Sequence, residues 1–460
     1  MIIDLSEKYD SKIFAELSNG KYNYVTEIKS ISIDSREIGE KTLFVAIRGE
    51  NTDGHKYIDS AVKNGAVCVM CEKLSDRYNG NYILVDDCVK AISNIATACR
   101  ERINPFTVGV TGSVGKTTTK EFISYVLAEK YPTHKSSGNF NTVYGISLTL
   151  AALSNIHKAV VTEMGMSSLG EISVLTNIAR PDVAVITNIG TAHLENLGSR
   201  ENICKAKLEI LEGLRRGGTL IYNGDEPLLW EKRKSFPKNV SIGINNEQVD
   251  VFGKNIRTMD QKTVFDMVYM GKEIKDIEIL TLGVHNVYNA MVAFSTGVIA
   301  GLEESEIRQG LKNYKPSGMR QRIYEKNGYT IIEDCYNASP ESMKASLSVL
   351  AELGKSKRTV AVLGEMRELG EMSDSLHKSV GKYAASSHID RLYTYGQSAL
   401  EIAVGALENG LSEEAIVAYN NIDDPKGMAD ILKADLQKGD IVLFKASRAV
   451  ALEKVIGYLV

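Results

Sequence analysis

The chain has 460 residues, of which 43% are hydrophobic and 24% are charged, and this ordinary globular balance excludes disordered, collagen-like and coiled-coil classes. At ~100–200 residues per domain, this length suggests about three domains. The 54 basic and 58 acidic residues leave a net charge of −4, which argues against nonspecific nucleic-acid or anionic-membrane binding as the main activity. We therefore expect any anionic ligand to be held by a local arrangement of residues.

The sequence shows no secretory signal or membrane span, and its cysteine usage suits reduced thiols, so we expect a cytoplasmic protein. The first ten residues lack a basic start followed by an apolar core, and no stretch approaches ~18 uninterrupted apolar residues. Of six scattered cysteines, Cys68 and Cys71 form a CxxC, but no further residue has a spacing that would complete a zinc or redox site. We interpret both as apolar strand residues and expect reduced thiols.

Two of the eight prolines mark changes in the sequence pattern. Pro105 precedes an apolar run, and Pro316 separates a helical stretch from an alternating region. Because the residue before a proline is biased toward extended backbone, both positions suit linkers. They predict three domains, at 1–104, 105–316 and 317–460.

Short apolar strands alternate with helices along the whole chain, which predicts an α/β fold with mostly parallel sheets covered on both faces. The strands predicted in the first block are Thr42–Ile47, Val67–Cys71 and Tyr82–Val85. Those predicted in the middle block are Phe106–Thr111, Lys158–Glu163, Asp182–Asn188 and Thr219–Tyr222. Its predicted helices are Lys116–Lys130 and one that Ser199 caps and that runs to about Leu214. The last block has predicted strands at Thr359–Leu363, Arg391–Tyr395 and Ile441–Lys445.

A glycine-rich segment joins the first strand of the middle block to its helix, and it predicts a phosphate-binding loop. Its residues are Gly112, Ser113, Val114, Gly115, Lys116, Thr117 and Thr118. Glycines let backbone N–H groups turn toward a phosphate, and the helix N-terminus adds positive potential. The lysine can reach the β/γ-phosphates and the first threonine can join a magnesium shell. The match is to a shortened GxxGKT pattern, because Val110 stands where the strict pattern has glycine. An ordinary strand-to-helix turn with an exposed lysine is the alternative.

Two further polar residues follow strands of the same block. A carboxylate at a strand end, such as Glu163, is a natural magnesium ligand beside a phosphate loop. His193 follows the next strand, but spacing alone predicts a solvated or core histidine. In open α/β sheets ligands sit beyond the carboxyl ends of strands, so these residues should lie near one another.

Motifs along the chain resemble the Mur ligase superfamily from about Ile31 to Glu453. The segments that carry the resemblance are IDSREIGEKTLFVAIRGENTDGHKYIDSAVKNGA in the first block, TGSVGKTTTKE, EMGMSSLGEI, RPDVAVITNIGTAHLENLGS, KAKLEI and GVHNVYNA in the middle block, and GMRQR, EDCYNASPESM, GEMRELGE and LFKASRA in the last. The sequence departs from the family pattern at Thr142, where a second asparagine is usual, at Ser147, where proline is usual, and at Val114, where a small or polar residue is common.

The resemblance implies a three-domain architecture with a central P-loop ATPase domain. An N-terminal α/β domain would bind UDP-N-acetylmuramoyl-tripeptide, and the C-terminal domain would be Rossmann-like. It also implies ATP- and Mg²⁺-dependent ligation of D-alanyl-D-alanine to that tripeptide through an acyl phosphate. Separately, we expect a monomer with no nucleic-acid or membrane partner. Which residue is third in the tripeptide, lysine or diaminopimelate, stays open.

The resemblance further implies roles for individual positions. The ATP contacts are the phosphate-loop residues 112–118 together with Asn286, Asn289 and Asp334. The magnesium ligands are Thr117, Glu163, His193 and Lys207, the last as a carbamate formed with CO₂. The catalytic residues are Lys116, Glu163, His193, Lys207 and Arg320. The contacts to the uridine diphosphate or the sugar are Asp34, Ser35, Arg36, Asp53, Gly54 and His55. Without the resemblance, Lys207 is a solvated helix residue, and Arg36 and Arg320 are surface charges.

Two alternative functions share the phosphate loop. A sister Mur ligase or a folylpolyglutamate-synthase-like ligase would differ in the outer domains, and the EDCYNASP segment argues against both. A nucleotide-dependent switch would bind ATP without forming a product, and the acceptor-side segments would then have no use.

Overall fold

The computed structural model describes residues 1–49, 52–76, 78–259, 261–316 and 318–460. These residues form three α/β units in chain order, each built on one sheet. The division predicted after residue 104 falls between a helix and a strand, whereas Ser317, the first residue of the third predicted block, lies outside the described residues.

The first unit is a sheet with the order β1-β3-β4-β5-β6-β2. Its strands are β1 (Ile2–Asp10), β2 (Lys21–Tyr22), β3 (Glu27–Ser32), β4 (Thr42–Val45), β5 (Cys68–Cys71) and β6 (Tyr82–Leu84). Its helices are α1 (Ser11–Ser18), α2 (Ile58–Lys63) and α3 (Cys88–Ile103). Strands β3 to β6 run parallel, while β1 and β2 pair antiparallel at the two edges. Cys68 and Cys71 are buried in β5, as interpreted from the sequence, and burial raises the pKa of the Cys68 thiol to about 12.

The middle unit is the largest sheet, with the order β15-β14-β13-β12-β11-β10-β7-β9-β8. Its strands are β7 (Phe106–Thr111), β8 (Thr133–Lys135), β9 (Ala159–Glu163), β10 (Val183–Ile186), β11 (Thr219–Asn223), β12 (Asn239–Gly243), β13 (Val251–Met259), β14 (Lys262–Tyr269) and β15 (Lys272–Ile279). Its helices are α4 (Lys116–Ala128), α5 (Val143–Ala151), α6 (Glu171–Ala179), α7 (Leu194–Leu197), α8 (Arg200–Leu208), α9 (Pro227–Trp230), α10 (Val284–Ile299) and α11 (Glu304–Asn313). From β8 at one edge of the sheet to β13, every pair of neighbouring strands is parallel. At the other edge, β13 pairs with β14 and β14 pairs with β15 in antiparallel hairpins.

The last unit is a smaller sheet with the order β16-β17-β21-β18-β19-β20. Its strands are β16 (Arg322–Lys326), β17 (Tyr329–Glu333), β18 (Thr359–Gly364), β19 (Arg391–Tyr395), β20 (Ile416–Tyr419) and β21 (Ile441–Lys445). Its helices are α12 (Pro340–Leu353), α13 (Ser373–Ser386), α14 (Leu400–Leu407), α15 (Pro425–Asp435) and α16 (Glu453–Leu459). All of its pairings are parallel except that between β16 and β17.

The middle sheet is covered on both faces, which confirms the predicted α/β class. Side chains of a strand point alternately to opposite faces, so a strand buried on both sides consists of apolar residues throughout. In β10, Val183 and Val185 pack into one apolar core, and Ala184 and Ile186 pack into the core on the other face. Among the residues that the structure describes, no helix combines the length and the apolar character needed to cross a bilayer.

Two features of the middle unit differ from the sequence prediction. The Ser199 cap is confirmed, because its hydroxyl accepts from the Asn202 N–H at 3.2 Å, but α8 ends at Leu208 and not near Leu214. A 3₁₀ turn follows, and Gly213 then packs so closely that a Cβ there would lie 2.2 Å from the Thr176 carbonyl oxygen. The hairpins of β13, β14 and β15 were not predicted, because their exposed faces carry polar residues that weaken the apolar strand signal.

Candidate active site

A cavity of about 1140 Å³ lies between the middle and last units, beyond the carboxyl ends of β7, β9 and β10. This is where open α/β sheets bind ligands. Twelve of the sequence-predicted site residues line it: Ser113, Val114, Gly115, Lys116, Thr117, Thr118, Glu163, His193, Asn286, Asn289, Arg320 and Asp334. The topology thus brings together residues that lie up to 221 positions apart, from Ser113 to Asp334.

The loop between β7 and α4 needs glycine at two positions for geometric reasons. Gly112 has φ 147°, and a Cβ there would lie 1.8 Å from the Thr187 hydroxyl oxygen. Gly115 has φ 85° and is the N-cap of α4, so the positive end of this helix faces the cavity. A helix N-terminus that begins in a glycine-rich loop is a ready-made anion site.

Asn188, which follows β10, fixes the shape of this loop. Its side-chain oxygen accepts hydrogen bonds from the backbone N–H groups of Ser113 at 3.1 Å and Val114 at 2.9 Å. Sequence reasoning noted the residue but gave it no role. An amide directly after a strand that neighbours the loop strand was the available signal, because such a residue must lie beside the loop.

Lys116 and Thr117 begin α4 and face the cavity with different partners. The Lys116 ammonium folds back and donates to the Gly112 carbonyl oxygen at 2.7 Å, and burial lowers the pKa of this lysine. The Thr117 hydroxyl donates to Glu163 Oε2 at 2.6 Å. The loop lysine and an oxygen-ligand pair are therefore adjacent, as the motif predicts.

Buried polar groups hold the Glu163 carboxylate at the end of β9. The Asn141 amide donates to its Oε1 at 3.1 Å, and the Lys120 ammonium lies 4.0 Å from its Oε2. Lys120 is fully buried and also donates to the Ser136 carbonyl oxygen at 2.7 Å. Sequence reasoning assigned neither Asn141 nor Lys120. A hydroxyl and a carboxylate oxygen side by side form a donor set that suits Mg²⁺.

His193 contacts the last unit directly. It has a left-handed backbone, with φ 63°, and its Nδ1 lies 2.6 Å from Glu368 Oε2. The contact with His193 is the main cause that lowers the pKa of the Glu368 carboxyl. Glu341, at the start of α12, makes a second contact across the same cavity, because its carboxylate accepts from the Thr191 N–H at 3.1 Å and hydroxyl at 3.0 Å. Neither glutamate was predicted from the sequence to have a role.

Lys207 lies apart from the cavity lining, buried on α8 with 1% of its surface exposed. No carboxylate of the described residues lies within salt-bridge distance of its ammonium. Burial, and secondarily the charge of Lys116, lowers its pKa well below the usual value. Lys205, two positions earlier, is exposed. The two lysines therefore differ as predicted from their positions on the helix, and the lowered pKa of Lys207 favours the neutral amine that carbamate formation requires.

The last unit contributes a buried carboxylate and an arginine. Asp334 accepts from Lys445 Nζ at 2.6 Å and from the Ser346 hydroxyl at 2.7 Å. Burial opposes ionisation of Asp334, but Lys445 and these hydrogen bonds outweigh it, and the pKa of this carboxyl is lowered. The Arg320 guanidinium lies over the Tyr336 ring, 3.6 Å from its centroid.

The amides predicted to contact adenine already bond protein groups. Asn286 Nδ2 donates to the Leu282 carbonyl oxygen at 2.7 Å and to Gln321 Oε1 at 2.8 Å. Asn289 Nδ2 donates to Asn286 Oδ1 at 3.0 Å, and its own oxygen accepts from Thr119 at 2.7 Å. Both amides line the cavity while bridging α10 to neighbouring segments.

The six residues predicted to contact the nucleotide-sugar lie in the first unit and do not line this cavity. Arg36 pairs with Asp34 at 2.6 Å, and this arginine holds the pKa of the Asp34 carboxyl well below its usual range. The Asp53 carboxylate accepts from the His55 N–H at 3.0 Å and lies 2.7 Å from its Nδ1. Gly54 between them packs against Ile47, where a Cβ would lie 2.6 Å from a carbonyl oxygen. Ser35 accepts from Asn64 through its carbonyl oxygen at 2.7 Å.

Family models and known proteins match nearly the whole chain. The model described as Mur ligase family, catalytic domain, matches residues 27–107, the Mur ligase middle domain matches 110–297, and the Mur ligase, glutamate ligase domain matches 319–448. The chain is 39% identical to UDP-N-acetylmuramoyl-tripeptide–D-alanyl-D-alanine ligase of Bacillus subtilis (strain 168), over 96% of this chain and 95% of that protein. It superposes on crystal structure I of MurF from Acinetobacter baumannii with a TM-score of 0.88 at 29% identity, covering 99% of each chain. The MurF ligase of Thermotoga maritima in complex with ADP gives a TM-score of 0.82 at 31% identity, covering 93% of this chain and 96% of that one.

Proposed function

The chain belongs to the Mur ligase family, and we propose that it joins D-alanyl-D-alanine to UDP-N-acetylmuramoyl-tripeptide at the expense of ATP. One observation carries the proposal. The phosphate loop, with the adjacent Thr117 and Glu163 pair, faces the Arg320 and Asp334 side chains of the last unit across a single cavity. A nucleotide switch needs only groups that contact ATP, whereas a ligase also needs space for a second substrate, and last-unit residues without an assigned ATP contact, namely Asn337, Ser447 and Arg448, line the same cavity.

The proposed reaction activates a carboxylate, which is otherwise a poor electrophile. The terminal carboxylate of the tripeptide attacks the γ-phosphorus of ATP, so that a C–O–P linkage forms and ADP leaves. The neutral amine of D-alanyl-D-alanine then attacks the acyl carbon, the tetrahedral intermediate expels phosphate, and the amine loses a proton. Positioning and neutralisation of charge supply most of the acceleration in phosphoryl transfer.

Two cationic side chains at the cavity, Lys116 and Arg320, have a place in this scheme. Lys116 and the N-terminus of α4 bind the β- and γ-phosphates, with Gly112, Ser113, Val114 and Thr118 shaping or lining the loop. Arg320 neutralises the γ-phosphate from the other side of the cavity. Asp334 accepts from the ribose hydroxyls, and Asn286 and Asn289 form the adenine side. The nucleotide-sugar is bound by the Asp34–Arg36 and Asp53–His55 segments of the first unit.

The donor set also fits the magnesium that the family implies. Thr117 and Glu163 would hold one ion, since their oxygens lie 2.6 Å apart. His193 would serve a second ion. When bound, magnesium neutralises developing charge on phosphate oxygens. Lys207 would supply an anion to the same region as a carbamate, because its amine, when deprotonated, can add to CO₂ with loss of one proton. Carbamylation replaces the buried amine by a group with one negative charge and two oxygen donors.

The acceptor specificity tests the proposal. Purified protein is given ATP, Mg²⁺ and UDP-N-acetylmuramoyl-tripeptide, with D-alanyl-D-alanine or a free amino acid as acceptor, and products are identified by mass spectrometry. We expect phosphate release and a pentapeptide product only with the dipeptide. Product formed with a free amino acid alone would assign a sister activity, and ATP binding without product would favour the switch. Running lysine- and diaminopimelate-containing tripeptides in parallel assigns the third residue.

A further inference from the structure

A second cavity, of about 340 Å³, lies where the end of α3 meets the C-terminus of α6 and the loop that follows α8. It shares no lining residue with the larger cavity. Four arginines line it: Arg100, Arg180, Arg215 and Arg216. The lining also contains two carboxylates, Glu101 and Glu212, so guanidinium groups outnumber carboxylates two to one.

Arg100 is a buried cation that forms no ion pair within the described part of the chain. Only 1% of its surface is exposed, and no carboxylate of the described residues lies within salt-bridge distance of it. Its Nε donates to the Ala179 carbonyl oxygen at 2.9 Å and its Nη2 to that of Arg180 at 2.7 Å. Burial, and then the charge of Arg215, lowers the pKa of this guanidinium to about 10. Carbonyl dipoles offset part of the cost of burying a charge, but a full negative charge would offset more.

Of the remaining three arginines, two form ion pairs with carboxylates and the third forms none among the described residues. Arg180 pairs with Glu101 and Arg215 pairs with Asp182, each at 3.0 Å. Arg216 is exposed and has no ion pair within the part of the chain that the structure describes. Glu212, the other acidic lining residue, accepts from the Ser173 hydroxyl. Two guanidinium groups, one buried and one at the surface, therefore line the same cavity without a carboxylate partner among the described residues.

We propose that this cavity binds a small phosphate-bearing anion. Guanidinium groups bind phosphate through parallel N–H donors, and a cluster of them selects for more than one negative charge. The volume equals that of about ten liquid waters, at about 30 Å³ each, which leaves room for a phosphate or a small phosphate ester. A lining of guanidinium and carboxylate groups excludes an apolar ligand.

The position gives the ligand a mechanical effect. Arg100 belongs to α3 of the first unit, while the other three arginines belong to loops of the middle unit, and the two units connect directly after α3. A bound anion would therefore hold the end of α3 against the middle unit. The competing explanation is that Arg100 only caps the C-terminus of α6, in which case no ligand is needed.

Calorimetry on the full chain separates the two explanations. Pyrophosphate, orthophosphate and ribose 5-phosphate are titrated into protein saturated with ADP, at constant ionic strength set with sodium chloride. We expect one site per chain, and the tighter of the two monophosphates identifies a free ion or an ester as the ligand. Arg216→Ala should weaken binding about tenfold or more, because a charged hydrogen bond is lost. Arg215→Ala should weaken it similarly. The ligation rate of Arg216→Ala should equal that of the wild type.

Control variants make the result decisive. Arg257→Ala removes an arginine that is paired with Asp276 on the β13–β15 edge, and it should bind like the wild type. The proposal is overturned if ADP-saturated protein binds none of the three probes at millimolar concentration, or if Arg216→Ala and Arg215→Ala bind them unchanged. It is equally overturned if Arg257→Ala weakens binding as much, or if Lys116→Ala alone abolishes it.

Discussion

The cavity edge of the middle unit and the predicted nucleotide-sugar segments of the first unit hold their charged groups in opposite ways. At the cavity edge, Glu163 is buried and Lys116 is partly buried, and their hydrogen bonds are to backbone and to neighbouring side chains. In the first unit, the Arg36 side chain is 85% exposed and is paired with its own neighbour Asp34.

This difference separates side chains that are held in place before a ligand binds from exposed side chains that change partners when a ligand binds. Buried polar groups are costly unless each has a partner, so the phosphate loop and its surroundings keep one geometry before any ligand arrives. An exposed ion pair contributes little to stability and can exchange partners at low cost. The first unit can therefore give up the Asp34–Arg36 pair to a substrate without unfolding.

The largest expected effect is at the fixed edge. Lys116→Ala should lower the rate of ADP formation about a thousandfold or more, because a positive contact to the transferring phosphate is lost. Coupled-enzyme measurement of ADP release is the check. Near-normal ADP release by this variant would contradict the assignment of the phosphate loop.

The two lysines of α8 give the next largest effect and an internal control. Lys207→Ala should lose about 100-fold in rate and regain part of it with small carboxylic acids, because the lost anion is supplied in solution. Lys205→Ala should stay active, since Lys205 is exposed. Full activity of Lys207→Ala would show that the lysine has no role in the mechanism. Inactivity without rescue would argue against the carbamate but would leave the lysine itself important.

A smaller effect is expected in the first unit. Arg36→Ala should raise KM for the nucleotide-sugar substrate about tenfold with little change in kcat, since one charged hydrogen bond to the diphosphate is lost. Steady-state kinetics at varied substrate concentration measure both constants. A loss confined to kcat would show that Arg36 acts on the reaction and not on substrate binding. That result would contradict the proposed difference between the two regions.

The smallest expected signal is a change of shape. The predicted nucleotide-sugar contacts do not line the cavity, so ATP and the tripeptide substrate together should close the units on one another. Small-angle scattering should then show a radius of gyration smaller by a few per cent than that of the free protein. An unchanged radius with both ligands bound would argue against closure.

How far the sequence predicted the structure depended on how local each signal was. Strands β7, β19 and β21 were predicted with their observed bounds, because each is a short apolar run closed by polar residues. The turn between β7 and α4 was predicted from its glycines, and Gly112 and Gly115 both have positive φ, while phosphate binding by this loop stays a prediction. Asn188, Glu341 and Glu368 were missed because their partners lie 75, 150 and 175 residues away in the sequence, and no local pattern records such pairs. The boundaries at 104 and 316 remain predictions.

Two glutamates of the last unit contact middle-unit groups at the cavity, so their carboxylates compete with any ligand that binds those groups. Glu368 contacts His193, and Glu341 contacts Thr191 beside the phosphate loop. A ligand that binds His193 or Thr191 can bind only those protein molecules in which the corresponding glutamate contact is open. Its apparent dissociation constant is therefore the intrinsic constant divided by the open fraction. Affinity measured on the isolated protein thus combines two equilibria, opening of the contact and binding of the ligand, and an inhibitor whose own carboxylate takes the place of Glu368 at His193 is subject to both.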